Sequence, residues 1–240
     1  MMGELQRYFS FSPQELKALW LSLEVALGAV LWSLPLAIFV AWLLARKNFY
    51  GKTILNSVIY LPLVLPPVVI GYLLLVIMGR KGVIGQYLYD WFGFSFAFSW
   101  RGAILASAVV AFPLVVRSIR LSLESIDTNL EATARTLGAS PYRVFFTITL
   151  PLALPGVLAG MVLGFARSLG EFGATITFVS NIVGQTQTIP LAMYSFIQTP
   201  GAEDQAFKLC LLSIMLSLLS LLLSEWLSRY MYKKLGQRHA

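Results

Sequence analysis

Five long apolar runs, set apart by shorter polar stretches, organise this chain of 240 residues. They fall at about 18–45, 54–78, 102–123, 151–179 and 206–230. Each exceeds the roughly 20 residues needed to cross about 30 Å of hydrocarbon. The surplus length allows tilt without fixing an angle. The pattern predicts an all-α fold: a polytopic membrane helical bundle of about five transmembrane helices. The polar stretches between the runs are too short to fold alone, so residues 18–230 are expected to form one membrane domain. It is flanked by an N-terminal segment, 1–17, and a tail, 231–240.

Composition agrees. The chain is 58% hydrophobic and 12% charged, against about half and a quarter for a soluble domain. The net charge of +7 does not point to nucleic acid, because the basic residues sit beside spans rather than in one patch. An odd number of spans puts the termini on opposite sides. With the N-terminus outside, eleven Lys and Arg residues (46, 47, 52, 117, 120, 135, 143, 229, 233, 234, 238) fall inside and six (7, 17, 80, 81, 101, 208) outside. The positive-inside rule then favours N-out, C-in. Trp20, Trp42, Trp91, Trp100, Trp226 and Tyr230 fit interfacial anchoring. Residues 1–17 lack the pattern of a cleavable signal, so the first run is expected to serve as an uncleaved insertion signal. Cys210, the one cysteine, reads as a small buried apolar residue.

Two local features stand out. Prolines 35, 62, 66, 67, 113 and 155 punctuate the runs, and each removes a backbone donor. The cluster Leu61-Pro-Leu-Val-Leu-Pro-Pro67 predicts a bent element. Between the third and fourth runs lies a polar, helix-prone insert, 124–150. Asp127 or Thr128 can cap a helix there, with Glu131 near capping-box spacing. Gly138 supplies a stop. Ser140-Pro141 can start a second short helix, and Pro151 and Pro155 are expected to open the fourth span. Two short helices about a glycine turn should therefore lie at the cytoplasmic surface.

This insert resembles the cytoplasmic signature of bacterial ABC importer permeases of type I architecture: an E-A-A triplet, a glycine four residues on, and an I-x-L-P ending. Gly138, Ile148, Leu150 and Pro151 keep that register. The triplet falls on Ala132, Thr133 and Ala134, with the acid one place early at Glu131. In the family this element docks in a cleft of the ATP-hydrolysing subunit. The resemblance therefore implies coupling residues Glu131, Ala132, Thr133, Ala134, Gly138, Ala139, Ser140 and Arg143. Ala132 stands where that signature has its glutamate.

The likeness narrows further. Ser168-Leu-Gly-Glu-Phe-Gly-Ala-Thr-Ile-Thr-Phe-Val-Ser-Asn181, Gly184-Gln-Thr-Gln-Thr-Ile-Pro-Leu-Ala-Met-Tyr194 and Leu61 to Gly71 resemble the molybdate permease family, over residues 14–230. Sulfate and tungstate permeases share the Gly-Glu-Phe-Gly-Ala core, so tungstate or sulfate/thiosulfate is the alternative cargo. The resemblance implies a permease homodimer in the bacterial inner membrane. Two cytoplasmic ATP-binding cassette subunits and an extracytoplasmic molybdate-binding protein would complete it, the latter meeting loops at 79–101 and 181–205. The resemblance also implies no cofactor on this chain, with ATP held by the partner subunit.

Chemistry inside the runs is sparse. Arg167 and Glu171 lie i,i+4 in the fourth run, where a charge costs at least ~2.5–3.5 kcal/mol on insertion scales. They can pair with each other or lend charge to a passing anion. Arg167, Ser168, Glu171, Thr175 and Asn181 are the candidate translocation-path residues. Gly156, Gly160, Gly164 and Ser168 form a small-residue face. It suits packing within the chain or a seam between two copies. Gly51-Lys52-Thr53 resembles the tail of a P-loop, but Arg46 stands where the earlier glycine is required. The lone histidine, His239, rules out a Ser-His protease, and no cluster has metal-ligand spacing. A self-sufficient channel or ion-coupled carrier, which shows repeats more often than this chain does, and a membrane scaffold are the competing classes.

Overall fold

The computed structural model describes residues 11–234. Arg7, Arg238 and His239, used above in the charge and protease arguments, lie outside that range. Helices account for the regular structure, and no strand occurs among the described residues.

The first helix, α1 (Pro13–Arg46), begins at a capping box. The Ser12 hydroxyl accepts from the Glu15 amide at 3.2 Å, and the Glu15 carboxylate accepts from the Ser12 amide. Both orphan donors of the first turn are thereby satisfied, and Pro13 fits there because it has no amide hydrogen to lose. The third run is α5 (Trp100–Glu124), capped by Ser99 through the Gly102 amide. The fifth is α11 (Glu203–Lys234). All three extend beyond the expected runs by a few polar or interfacial residues.

The second run is not one rod. It forms α2 (Lys52–Val64) and α3 (Pro67–Met78), which meet at 116°. The cause is local. Leu65 and Pro66 each precede a proline, and both adopt extended backbone, with ψ of 142° and 133°. The ring of the following proline disfavours the helical conformation at each. The structure thus has four helices long and apolar enough to cross a membrane, or five if this bent pair counts as one.

The fourth run also departs from expectation, at both ends. After α6 (Thr128–Thr136), a one-turn helix α7 (Pro141–Val144) continues through a π-helical turn, Phe145–Thr149, into α8 (Leu150–Leu169). The span therefore starts at Pro141, and Pro151 and Pro155 lie within it instead of opening it. Its other end stops at Gly170. The chain resumes as α9 (Gly173–Val179), a separate short helix packed on α3. The segments expected as outer loops hold helices of their own: α4 (Gly85–Phe92) and α10 (Ile189–Ile197).

The packed centre is α1, α5 and α8, joined by α3 and α9 at one end. Its buried residues are mostly alanine and valine, in one cluster around Ala41, Val116 and Ala153 and another around Ala103, Val110 and Ala174. Small side chains suit helices in lipid. Close van der Waals approach must hold them together there, because lipid tails are as apolar as the side chains. Many large apolar residues point outward, such as Trp32, Phe39 and Leu222.

The Gly156–Gly160–Gly164 face belongs to this centre. A Cβ on Gly156 would collide with Cβ of Ser122, and one on Gly164 would lie 2.6 Å from Cγ2 of Val115. The Ser118 hydroxyl donates to the Gly156 carbonyl at 2.9 Å. Of the two roles open to this face, the structure assigns packing of α8 on α5 within one chain.

Candidate functional site

The polar insert is built largely as its sequence implies. The Asp127 carboxylate accepts from the Asn129 amide at 2.9 Å, satisfying a first-turn donor of α6. At the other end, Gly138 has φ of +87°. Its amide donates to the Arg135 carbonyl at 2.9 Å, and the Ala139 amide donates to the Ala134 carbonyl at 3.0 Å. That pair of bonds is a Schellman motif, which requires the left-handed conformation glycine adopts without steric cost. The Ser140 hydroxyl accepts from the Arg143 amide and starts α7. The Arg143 carbonyl accepts from the Thr147 hydroxyl at 2.6 Å.

The two faces of α6 differ. Ala132, Thr133, Gly138, Ser140 and Arg143 are exposed, and Ala134 and Ala139 partly so. Beside them stand Leu137, 83% exposed, and Tyr142, 81% exposed. Two large side chains on a polar turn form the kind of exposed apolar patch that marks an interaction surface.

Glu131 stands apart from this outward face. It is 8% exposed and is the buried residue of α6. Its Oε1 lies 3.1 Å from both Nε and Nη2 of Arg46, at the end of α1, and accepts from the Thr149 hydroxyl at 3.0 Å. Arg46 Nη2 also donates to the Ile126 carbonyl at 3.3 Å. Glu131 thus lies on the opposite face of α6 from the exposed candidate coupling residues. A residue advances about 100° around a helix, so an acid one place early faces the bundle while Ala132 faces out. Arg46 and Thr149 were not singled out by sequence. Contacts 85 and 18 residues away leave no periodic signal.

The second candidate group lies at the break between α8 and α9. Arg167 Nη1 and Glu171 Oε2 are 2.8 Å apart. The Glu171 side chain is 1% exposed, that of Arg167 31%. The other carboxylate oxygen of Glu171 accepts from the Ala174 amide at 2.8 Å, so one carboxylate both pairs with the cation and starts the next helix. Gly173 sits against Pro67, the first residue of α3: a Cβ there would be 3.0 Å from the proline Cβ. The two helix breaks of the molecule therefore adjoin. Ser168 and Thr175 are buried, and the Thr175 hydroxyl donates back to the carbonyls of Phe172 and Glu171. The Asn181 amide donates to the Leu191 carbonyl at 3.2 Å and the Ser195 hydroxyl at 2.7 Å. Of the five path candidates, only Arg167 combines a charge with open surface.

Four or five helices long and apolar enough to cross a membrane, a small-residue centre and an exposed polar turn define a polytopic membrane domain. The chain belongs to the family of binding-protein-dependent transport system inner membrane components, which it matches over residues 33–237. It is 78% identical over 223 residues to the molybdenum transport system permease protein ModB of Haemophilus influenzae, covering 93% of this chain and 97% of that one. It is 66% identical to the protein of the same name from Escherichia coli, with the same coverage. Its fold matches a solved bacterial ABC transporter involved in import of the acidic polysaccharide alginate, with TM-score 0.71, 19% identity, and 92% of this chain and 80% of that chain covered. The type I importer permease fold expected above is the one found.

Proposed function

We infer that this chain is the membrane-spanning permease subunit of an ATP-driven importer that carries molybdate into the cytoplasm of a bacterium. The observation that carries the inference is the match to permeases named for molybdenum transport, 78% and 66% identical along nearly the whole chain. Two copies would form the pathway in the inner membrane, N-out and C-in. An ATP-binding cassette subunit would dock on each α6–α7 turn, and an extracytoplasmic molybdate-binding protein would deliver the anion from the other side. The chain itself would hydrolyse nothing, with ATP bound on the partner.

The geometry supports this division of labour. The exposed Leu137 and Tyr142 flank the left-handed Gly138 and offer an apolar anchor for a soluble subunit. Closure of the ATPase pair would push the turn, and the push would reach α8 directly through the unbroken run from Pro141 to Leu169. Inside the membrane, Arg167 can lend transient charge stabilisation to a passing dianion, while the buried Glu171 keeps that charge affordable in lipid. Ser168, Thr175 and Asn181 serve as scaffold around it.

Reconstituted vesicles test the proposal. Loaded binding protein should stimulate ATP hydrolysis, and unlabelled molybdate should compete with labelled molybdate more strongly than sulfate does. Stimulation that survives Gly138→Pro would sink the coupling assignment. Competition by sulfate at equal strength would favour the broader oxyanion alternative suggested by the Gly170–Ala174 core.

A further inference from the structure

We propose that Arg46, Glu131 and Thr149 form a latch that makes the coupling helix move together with the ends of two membrane helices. On this view Glu131 is a positioning residue for transport and makes no contact with the ATPase subunit. The proposal rests on the coupling role given above to the α6–α7 turn.

Three observations carry it. First, α6 has nine residues, and of these only Glu131 is buried. A helix this short is marginal in water, so its attachment to the bundle depends on that one side chain and on its two chain connections. Second, those connections run to α5 and, by way of α7 and the π turn, to α8. The end of α1 is 85 residues away from Glu131 and is reached through Arg46, which grips both the Glu131 carboxylate and the Ile126 carbonyl. Third, Thr149 closes the π-helical turn that leads into α8, and its hydroxyl meets the same carboxylate oxygen. Single π turns inside α-helices recur at functional sites. One oxygen thus ties α6, α1 and the start of α8 together. Both charged side chains are 10% exposed, so solvent does little to weaken the pair.

With alanine at the exposed position 132 and the acid at the buried position 131, the carboxylate lies off the docking face and where it can pull on α1. When the docked turn is displaced, the latch obliges α1 to follow instead of letting α6 swing on its tethers.

The test uses the complete transporter in lipid vesicles, with molybdate uptake and ATP hydrolysis measured together. Glu131→Gln and Arg46→Gln are expected to co-purify with the ATPase subunit yet import about tenfold less molybdate per ATP hydrolysed. The reversed pair, Arg46→Glu with Glu131→Arg, is expected to regain most of that loss. A static staple would lower protein yield without changing the ratio. An unchanged ratio in the single variants, or a reversed pair no better than either, overturns the latch. So does loss of co-purification by Glu131→Gln, which would make Glu131 a docking contact. Should the single variants fail to accumulate, Thr149→Val keeps both charges, and an expected loss of about threefold in the ratio decides the matter. Leu137→Asp, on the outward face, separates the two claims. It should abolish co-purification, and if it does not, the coupling reading fails whatever the latch variants do.

Discussion

Two ion pairs, each with a buried carboxylate, serve this molecule in different ways. Arg167–Glu171 joins residues one helical turn apart at a helix break in the apolar interior. Arg46–Glu131 joins residues from different helices at the end of the bundle where α6 sits. The first is local and ties the end of α8 to the start of α9. The second is remote and holds separate elements in register. The contrast suggests that a charge pair between near neighbours in sequence can be kept inside the membrane for what it presents, whereas one between distant helices governs what moves with what.

The comparison can be broken by removing one partner at a time. Glu171→Leu should have the largest effect. It leaves Arg167 uncompensated and strips the Ala174 amide of its acceptor, at about 3–5 kcal/mol. Thermal unfolding in detergent micelles reads this, and a variant as stable as the wild type would show that Arg167 already faces water. Arg46→Met should cost less, about 1.5–3 kcal/mol, because Glu131 keeps the Thr149 hydroxyl as a donor. Equal costs for the two variants would erase the distinction between the sites.

Gly138→Ala isolates backbone from charge. Nothing lies within 4 Å of an added Cβ, but φ is +87°, so conformational strain of about 1 kcal/mol is expected alone. Stimulated ATP hydrolysis should fall modestly while assembly persists. Arg229→Ala sets the baseline. Its i,i+4 pair with Glu225 is well exposed, with side chains 70% and 64% accessible, and the loss should be a few tenths of a kcal/mol at most. A larger loss would point to a contact made in the assembled transporter.

Sequence carried far at the coupling turn because its signals are local. Asp127, Gly138 and Ser140 each act on backbone groups within two to five residues, and each does what its chemistry predicts. The Arg167–Glu171 pair was legible for the same reason. The start of the fourth span was misplaced because a π turn carries the helix across Phe145–Thr149, and nothing in that composition announces it. Its end was misplaced because Gly170 and Glu171 lie inside an unbroken apolar run. The break there depends on a carboxylate turning back to cap the next helix.

By itself the chain determined the membrane class, the number of apolar runs, the proline break at Leu65–Pro66 and the form of the coupling turn. Those properties follow from hydrophobic length and from steric rules that act between near neighbours. Only the tertiary structure decided that the glycine face of α8 packs on α5, that the two helix breaks adjoin, and that Glu131 turns inward to Arg46. Each of these depends on which residues distant in sequence are brought together, and a buried charge must find its partner wherever the fold places one.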